Sequence, residues 1–153
     1  MRATAKLAWV LLLGLACLPA SAEPERTATD CFFDAFSHGD ADAVTACYAP
    51  DAVVWLPGGP KAKGTQQIHD AFAGWFAAYT IKTFTYNQLG VRTVGDDRVS
   101  WGEFTLEIVA KDTGAVTASR GRYTDVQRKI DGQWLYVVDH ASDDPAPAAA
   151  ATP

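Results

Sequence analysis

The chain changes from helical to strand periodicity near its middle, and this change constrains the fold more than any other feature. Between Thr27 and Tyr79 apolar residues recur at helical spacing, whereas from Ile81 onward they alternate with polar residues. Turn sequences divide the alternating part into four strands, at Gly95-Asp96-Asp97, Asp112-Thr113-Gly114 and Asp131-Gly132. Helices gathered early and strands gathered late predict an α+β domain, in which helices cover one face of a curved antiparallel sheet.

Three helices are predicted in the first half. The first begins at Thr27, which forms a capping pair with Asp30, and it stops at Gly39. Asp40 caps a second, shorter helix, and a third begins at Thr65. The short strand "DAVVWLPGG" lies between the second and third helices.

The alternation in "RVSWGEFTLEIVA" assigns the two faces of one strand. Gly102, Phe104, Leu106 and Ile108 form a set that we expect to face the core. Trp101 then points outward, and a large outward aromatic residue indicates a partner surface on the convex side of the sheet.

The first 22 residues have the layout of a secretory signal peptide. Arg2 and Lys6 precede the apolar run Leu7–Leu18, and Ala20-Ser21-Ala22 has the small residues of a cleavage site. The apolar run is shorter than the roughly 20 residues that a membrane span needs. We therefore expect export to the periplasm or the medium, removal of residues 1–22, and no membrane contact afterwards.

Cleavage removes Cys17 and leaves Cys31 and Cys47. Two cysteines in an oxidising compartment predict a disulfide, and their places on adjacent predicted helices allow them to meet. The alternative is a pair of buried thiols that act as small hydrophobic residues.

Charge and composition exclude several partners. The net charge is −5 and no basic cluster occurs, which argues against nucleic acid and anionic membranes. The three histidines lie far apart, and no phosphate-binding glycine loop occurs, so we expect neither a metal nor a cofactor. Residues 144–153 are rich in Ala and Pro and predict a flexible tail. The predicted folded domain therefore spans residues 23–143.

Two segments, "HGDADAVTACYAPDAVVWLPGG" and "GRYTDVQRKIDGQWLYVVDHAS", resemble the nuclear transport factor 2-like superfamily. Within it, the chain is similar to SnoaL-like and ketosteroid-isomerase-like proteins, including the association domain of calcium/calmodulin-dependent kinase. The resemblance covers about Thr27 to Asp143. It implies a cone-shaped sheet with a ligand pocket and a homodimer that pairs through the convex face of the sheet. The fold hosts isomerases, dehydratases, hydrolases and non-catalytic binders, so it does not fix a reaction.

The resemblance to ketosteroid isomerase extends to specific positions. It places Leu56 at the position of the catalytic base, Phe32 at that of a tyrosine donor, and Thr124 near that of an acidic donor. Leucine cannot accept a proton and phenylalanine cannot donate a hydrogen bond. We therefore expect no ketosteroid isomerase chemistry.

The candidate pocket residues on the last two strands are Arg122, Thr124 and His140. The resemblance places Arg122 and Thr124 toward the pocket, and a matching arginine and histidine line the cavity of the kinase association domain. His140 shares the face of Tyr136 if the strand is regular, whereas Asp139 points the other way. Arg122 would then bind an anion, and His140 would be the best candidate acid or base. Alternatively, both belong to a structural network.

Trp55, Trp75 and Tyr79 are candidates for an apolar pocket wall, although aromatic residues at helical spacing are also typical of a core. The resulting hypothesis is an exported domain that binds a small apolar or amphipathic molecule in its cone. Two alternatives stay open. One is an isomerase, dehydratase or cyclase that acts on a small carbonyl compound, and the other is a non-catalytic association module.

Overall fold

The computed structural model describes residues 25–145. In chain order its elements are α1 (Ala28–His38), α2 (Ala41–Thr45), β1 (Tyr48–Trp55), β2 (Lys61–Lys63), α3 (Gly64–Ala78), β3 (Tyr79–Val94), β4 (Asp97–Ala110), β5 (Val116–Ile130) and β6 (Gln133–Asp143). The predicted signal peptide, and all but two residues of the predicted tail, lie outside the described residues. Within the described range, no helix is long and apolar enough to cross a membrane.

The strands form one curved, unclosed sheet in the order β2-β1-β6-β5-β4-β3. Helices from the N-terminal half pack on one face of it, so the predicted α+β class is confirmed. The four long strands after α3 are antiparallel to their neighbours, as predicted. One pairing differs, because β1 runs parallel to β6. This pairing places β1 beside β6, the last strand among residues 25–145.

The helix boundaries follow the predicted capping chemistry. The Thr27 side chain accepts a hydrogen bond from the backbone N–H of Asp30, and the Asp30 carboxylate accepts one from the backbone N–H of Thr27. Gly39 ends α1 at φ 69°, in the left-handed region that glycine adopts without strain. Asp40 caps α2 by accepting a hydrogen bond from the backbone N–H of Ala43 at 2.9 Å.

Helix α3 begins one residue before the predicted start and ends at Ala78. Tyr79, which the helical spacing placed at the end of this helix, is therefore the first residue of β3. The buried face of α3 is formed by Ile68, Phe72 and Phe76.

Cys31 and Cys47 are joined by a disulfide, with their Cα atoms 5.8 Å apart. The predicted bridge is therefore present in the structure. It connects α1 to the segment between α2 and β1, which fixes α1 beside the first strand. In the chain-entropy model, a loop of this length stabilises the fold by roughly 3 kcal/mol.

The core lies between the helices and the part of the sheet formed by β1 and β6. Phe32 packs against it, with ring centroids of Phe36, Phe72 and Tyr136 between 5.2 and 6.1 Å away. On β4, Leu106 and Ile108 face the same side but are only half-buried. The helices thus leave space over the inner face of β4 and β5.

Two aromatic rings on the inner face lie over glycines of the neighbouring strand. Phe104 is directly opposite Gly121, and Tyr123 is directly opposite Gly102. A Cβ atom at Gly121 would overlap the Phe104 ring, and one at Gly102 would overlap the Tyr123 ring. The glycines therefore let both rings lie close to the sheet, which keeps the space above them open.

Candidate functional site

A cavity of about 530 Å³ lies between α1, α3 and the inner face of the sheet. This volume is typical of sites that hold a small organic molecule. The loop between β1 and β2 contributes Leu56, Pro57, Gly59 and Pro60 to the wall.

Aromatic side chains form the largest group in the wall of the cavity. They come from α1, from α3 and from four strands, and they are Phe32, Phe33, Phe36, Phe72, Trp75, Phe84, Tyr86, Phe104, Tyr123 and Tyr136. Such a wall favours a ligand that buries mainly apolar surface.

The charged side chains that line this cavity are all aspartates: Asp125, Asp139 and Asp143. Asp125 and Asp139 occupy directly opposite positions on β5 and β6, and their side chains are 1% and 8% exposed. Asp143 is exposed. Two carboxyl groups therefore lie side by side, buried beneath an apolar wall.

Asp125 is held by several hydrogen bonds. Ser100 Oγ donates to Asp125 Oδ1, and Gln127 Nε2 donates to the same atom at 3.1 Å. Thr29 Oγ1 donates to Oδ2 at 3.4 Å. Burial raises the pKa of Asp125 above its ordinary value, and these hydrogen bonds lower it only in part.

Asp139 has fewer partners. The Tyr48 hydroxyl donates to Asp139 Oδ2 at 2.6 Å, and it is the only side-chain or backbone donor found for Asp139 within residues 25–145. Burial is the main reason that the pKa of Asp139 is raised to about 7; the hydrogen bond from Tyr48 lowers the pKa, and the neighbouring charge of Asp125 raises it. Near neutral pH this carboxyl group can therefore donate or accept a proton.

Tyr123 adds a third polar group to the cavity wall. Its hydroxyl is buried and has no hydrogen-bond partner among the residues that the structure describes. Because buried hydroxyl groups are normally hydrogen-bonded, this atom is a position where a bound molecule or water would complete the structure.

The predicted placement of Arg122, Thr124 and His140 is wrong, because all three lie on the outer face of the sheet. The reason is an extra residue in β6: Val138 pairs with Val126, but Tyr136 pairs with the next residue of β5, so Val137 has no partner. This β-bulge reverses the alternation, so that Tyr136 and Asp139 both face inward and His140 faces outward.

The outer-face residues make contacts of their own. The His140 ring lies edge-on to the Trp55 ring at 6.3 Å, and Arg122 Nε is 3.6 Å from Asp144 Oδ1. Trp55 is 41% exposed on this same side. None of these side chains borders the cavity.

Among the predicted wall residues, Trp75 lines the cavity and Tyr79 does not. Phe32 and Leu56 also line it, at the positions aligned with a tyrosine donor and a catalytic base. The structure thus brings Trp75, Phe32 and Leu56 together, and it separates them from Arg122 and His140.

Sequence reasoning missed Asp125 and Tyr123. The alternation of "GRYTDVQRK" has no clear apolar face, because Arg122, Thr124 and Val126 alternate with Tyr123, Asp125 and Gln127. One available signal was Asp125 itself, since aspartate is depleted in strands and needs a specific partner there. In residues 25–145 no group of three or more potential metal ligands comes together.

The raised pKa of Asp139 makes a prediction about stability. The native protein holds this proton up to about pH 7, whereas the unfolded chain loses it near the ordinary value of 3.8. The free energy of unfolding therefore contains a contribution that falls as the pH rises between these two values. Asp139→Asn is neutral throughout, and its amide oxygen still accepts from Tyr48. Relative to the wild type, we expect this variant to gain up to about 4 kcal/mol between pH 4 and pH 8.

Urea unfolding at a series of pH values measures this difference. Asp96→Asn removes an exposed carboxyl group in the β3–β4 turn and serves as the control. Parallel pH profiles for wild type and Asp139→Asn would show that Asp139 has an ordinary pKa.

Comparisons with known proteins agree with this architecture. The SnoaL-like domain model matches residues 30–137. A ketosteroid isomerase-like protein from Erwinia carotovora atroseptica is 25% identical with a TM-score of 0.72, covering 78% of this chain and 92% of that one.

Two further solved structures are similar. A calcium/calmodulin-dependent protein kinase II association-domain-like protein from Xanthomonas campestris is 27% identical (TM-score 0.62), covering 78% of this chain and 84% of that one. A nuclear transport factor 2-like protein from Salmonella enterica is 19% identical (TM-score 0.67), covering 81% and 90%. No curated protein sequence matches significantly. The fold is that of the nuclear transport factor 2-like proteins. The family match spans most of the chain, which therefore belongs to the SnoaL-like domain family.

Proposed function

We propose that the mature chain, exported after loss of residues 1–22, binds a small and largely apolar molecule in the cavity. The observation that carries this proposal is an aromatic wall around two buried carboxyl groups. The apolar part of the ligand packs against the rings, and its one polar group is directed toward Asp125 and Asp139.

This orientation differs from the one expected from the sequence. A ligand with an acidic or carbonyl head was expected to point toward Arg122 and His140, which lie on the other face. Since the charged residues around the cavity are aspartates, a carboxylate head would meet like charge there. The proposed ligand is therefore neutral or cationic.

Filling the cavity tests the proposal. Ala141 lines the cavity on the inner face of β6, and Ser142 follows it on the outer face. Ala141→Phe places a ring in the ligand volume and is expected to weaken binding of phenylbutanol by at least about tenfold, whereas Ser142→Phe leaves it unchanged.

Titration calorimetry gives both affinities. Unfolding midpoints in urea show that each variant is folded. If phenylbutanol and similar apolar alcohols do not bind the wild type, or if Ala141→Phe binds them equally well, the cavity is not the ligand site.

General acid–base catalysis on a small carbonyl compound is a second candidate function. The observation that favours it is Asp139, whose pKa of about 7 suits proton transfer near neutral pH. In this candidate mechanism Asp139 replaces His140 as the acid or base, because His140 is outside the cavity.

Exchange of the α-protons of a small ketone in D₂O, followed by NMR, measures this activity. Asp139→Asn is expected to reduce exchange by at least about a hundredfold, and His140→Ala to leave it unchanged. An equal loss in both variants, or no exchange above buffer with the wild type, would count against catalysis.

We also propose that two copies associate through the outer face of the sheet. Four residues lie in register there across neighbouring strands: Trp55, His140, Thr124 and Trp101. Both tryptophans are 41% exposed, and large exposed aromatic residues in one row indicate a partner surface. The relative from Xanthomonas campestris is itself named for an association domain.

Light scattering at micromolar concentration tests this association. The wild type is expected to have the mass of a dimer, and Trp101→Glu that of a monomer, because the variant replaces an exposed aromatic ring of the row by a charge. A monomeric wild type would contradict the proposal.

A further inference from the structure

We infer that the polar group of the ligand is a protonated amine carried on an apolar, aromatic-sized skeleton. This inference rests on the proposed function and names the charge class of the ligand. It is drawn from three observations about the cavity: uncompensated acids, an open acceptor atom, and ring faces around them.

The two buried carboxyl groups have no cationic partner in the described structure. Neither Asp125 nor Asp139 forms any of the ion pairs found in residues 25–145. Arg98 is on β4, but its guanidinium group donates a hydrogen bond to Gln88 at 3.3 Å, and its charge lowers the pKa of Asp30. Buried acids are normally paired with a cation. The cation that would complete this pair is therefore expected from outside the chain.

Asp139 also has an acceptor atom that is free to meet a ligand. Tyr48 occupies Oδ2, and no hydrogen bond to Oδ1 is found within the described range. Only 8% of Asp139 is exposed, and the residue lines the cavity. Asp125 differs, because Ser100 and Gln127 already donate to its Oδ1. Asp139 is thus the carboxyl group that a ligand amine would contact.

The aromatic wall suits the same chemistry. A cation is attracted to the faces of aromatic rings at distances up to roughly 6 Å, and the attraction grows when water is excluded. Among the lining residues, Tyr136 lies on the same strand as Asp139, and Tyr123 lies two residues before Asp125 on the neighbouring strand. An amine at Asp139 therefore has rings beside it as well as a carboxylate.

Other head groups fit the cavity less well. An anionic head would lie next to three aspartates without a balancing cation. A metal ion needs several ligands, and no group of three potential ligands is present among residues 25–145. A neutral acceptor, such as a carbonyl group, would be held only by the protonated form of Asp139.

The affinities of the cavity for an amine and for a neutral acceptor are therefore expected to depend on pH in opposite directions. The titratable groups that surround Asp139 are three tyrosines and two acids. The tyrosines are Tyr48 from β1, Tyr123 from β5 and Tyr136 from β6, and they are uncharged near neutral pH. The acids are Asp125 from β5 and Asp143 from β6. As Asp139 loses its proton, an amine that stays protonated binds more tightly. A neutral acceptor binds less tightly, because its donor is lost.

Three probes with one skeleton separate these cases: phenylbutylamine, phenylbutanol and phenylbutyrate. Calorimetric titration of the wild type is expected to rank them in that order. The amine should bind about tenfold to a hundredfold more tightly than the alcohol at about pH 8, the range that one charge-assisted hydrogen bond gives. Its advantage should shrink at about pH 5.5, where Asp139 is protonated.

Asp139→Asn is the matched variant, and Asp96→Asn removes the same charge from an exposed turn. Asp139→Asn should remove the advantage of the amine at about pH 8, so that amine and alcohol bind with affinities within about twofold of each other, whereas Asp96→Asn should leave the ratio of the two affinities unchanged. Binding of the alcohol as tightly as the amine by the wild type would overturn the inference and leave the proposed function intact. Equally tight binding of the carboxylate would overturn the inference and also the proposed exclusion of anionic ligands. Failure of all three probes to bind would overturn the proposed function itself.

Discussion

The bulge in β6 is the constraint on which the site depends. β6 is hydrogen-bonded to β1 on one side and to β5 on the other, so its side chains are fixed by two neighbours at once. With regular alternation, a strand that faces inward at Tyr136 would turn His140 inward and Asp139 outward. The unpaired Val137 shifts the later residues by one position, which brings Asp139 opposite Asp125. One inserted residue therefore places the Asp139 carboxyl group in the cavity, beside that of Asp125, where a regular strand would place the His140 imidazole.

The two acids differ in what supports them. Asp125 is part of a network that ties α1 to the sheet, because Gln127 accepts from the backbone N–H of Ala28 and donates to both Thr29 and Asp125. The network lies at the first turn of α1, where the helix dipole favours a negative charge. Within residues 25–145, Asp139 accepts a side-chain hydrogen bond from Tyr48 alone. Hydrogen bonds from several side chains thus partly offset the effect of burial on the pKa of Asp125, whereas only one does so for Asp139.

The sequence was sufficient for the features that local chemistry determines. The capping residues Thr27 and Asp40, the αL stop at Gly39, the Cys31–Cys47 bridge and the inner set on β4 follow from spacing and residue type. Which residues of β5 and β6 face the cavity does not follow from spacing and residue type. A bulge depends on how two strands pair over their full length, and nothing in "QWLYVVDHAS" distinguishes the bulged Val137 from Val138. Residue patterns that are polar on both faces leave register weakly specified. The assignment of Arg122 to the cavity therefore rested on the resemblance, and that of His140 on the resemblance and a regular strand.

Perturbed carboxyl groups have two common explanations, a structural ion-pair network and a functional site. An ion-pair network is absent around Asp125 and Asp139 in the described chain, and two buried acids directly opposite each other oppose folding when both are charged. A core designed only for stability would hold apolar side chains at these positions, since replacing buried charges by well-packed apolar groups is often neutral or stabilising. The surrounding cavity has the size of a small molecule and an aromatic wall, as the proposed ligand requires. A bound molecule whose polar group meets the Asp139 carboxyl would account both for the energetic disadvantage of that residue and for the open volume above it.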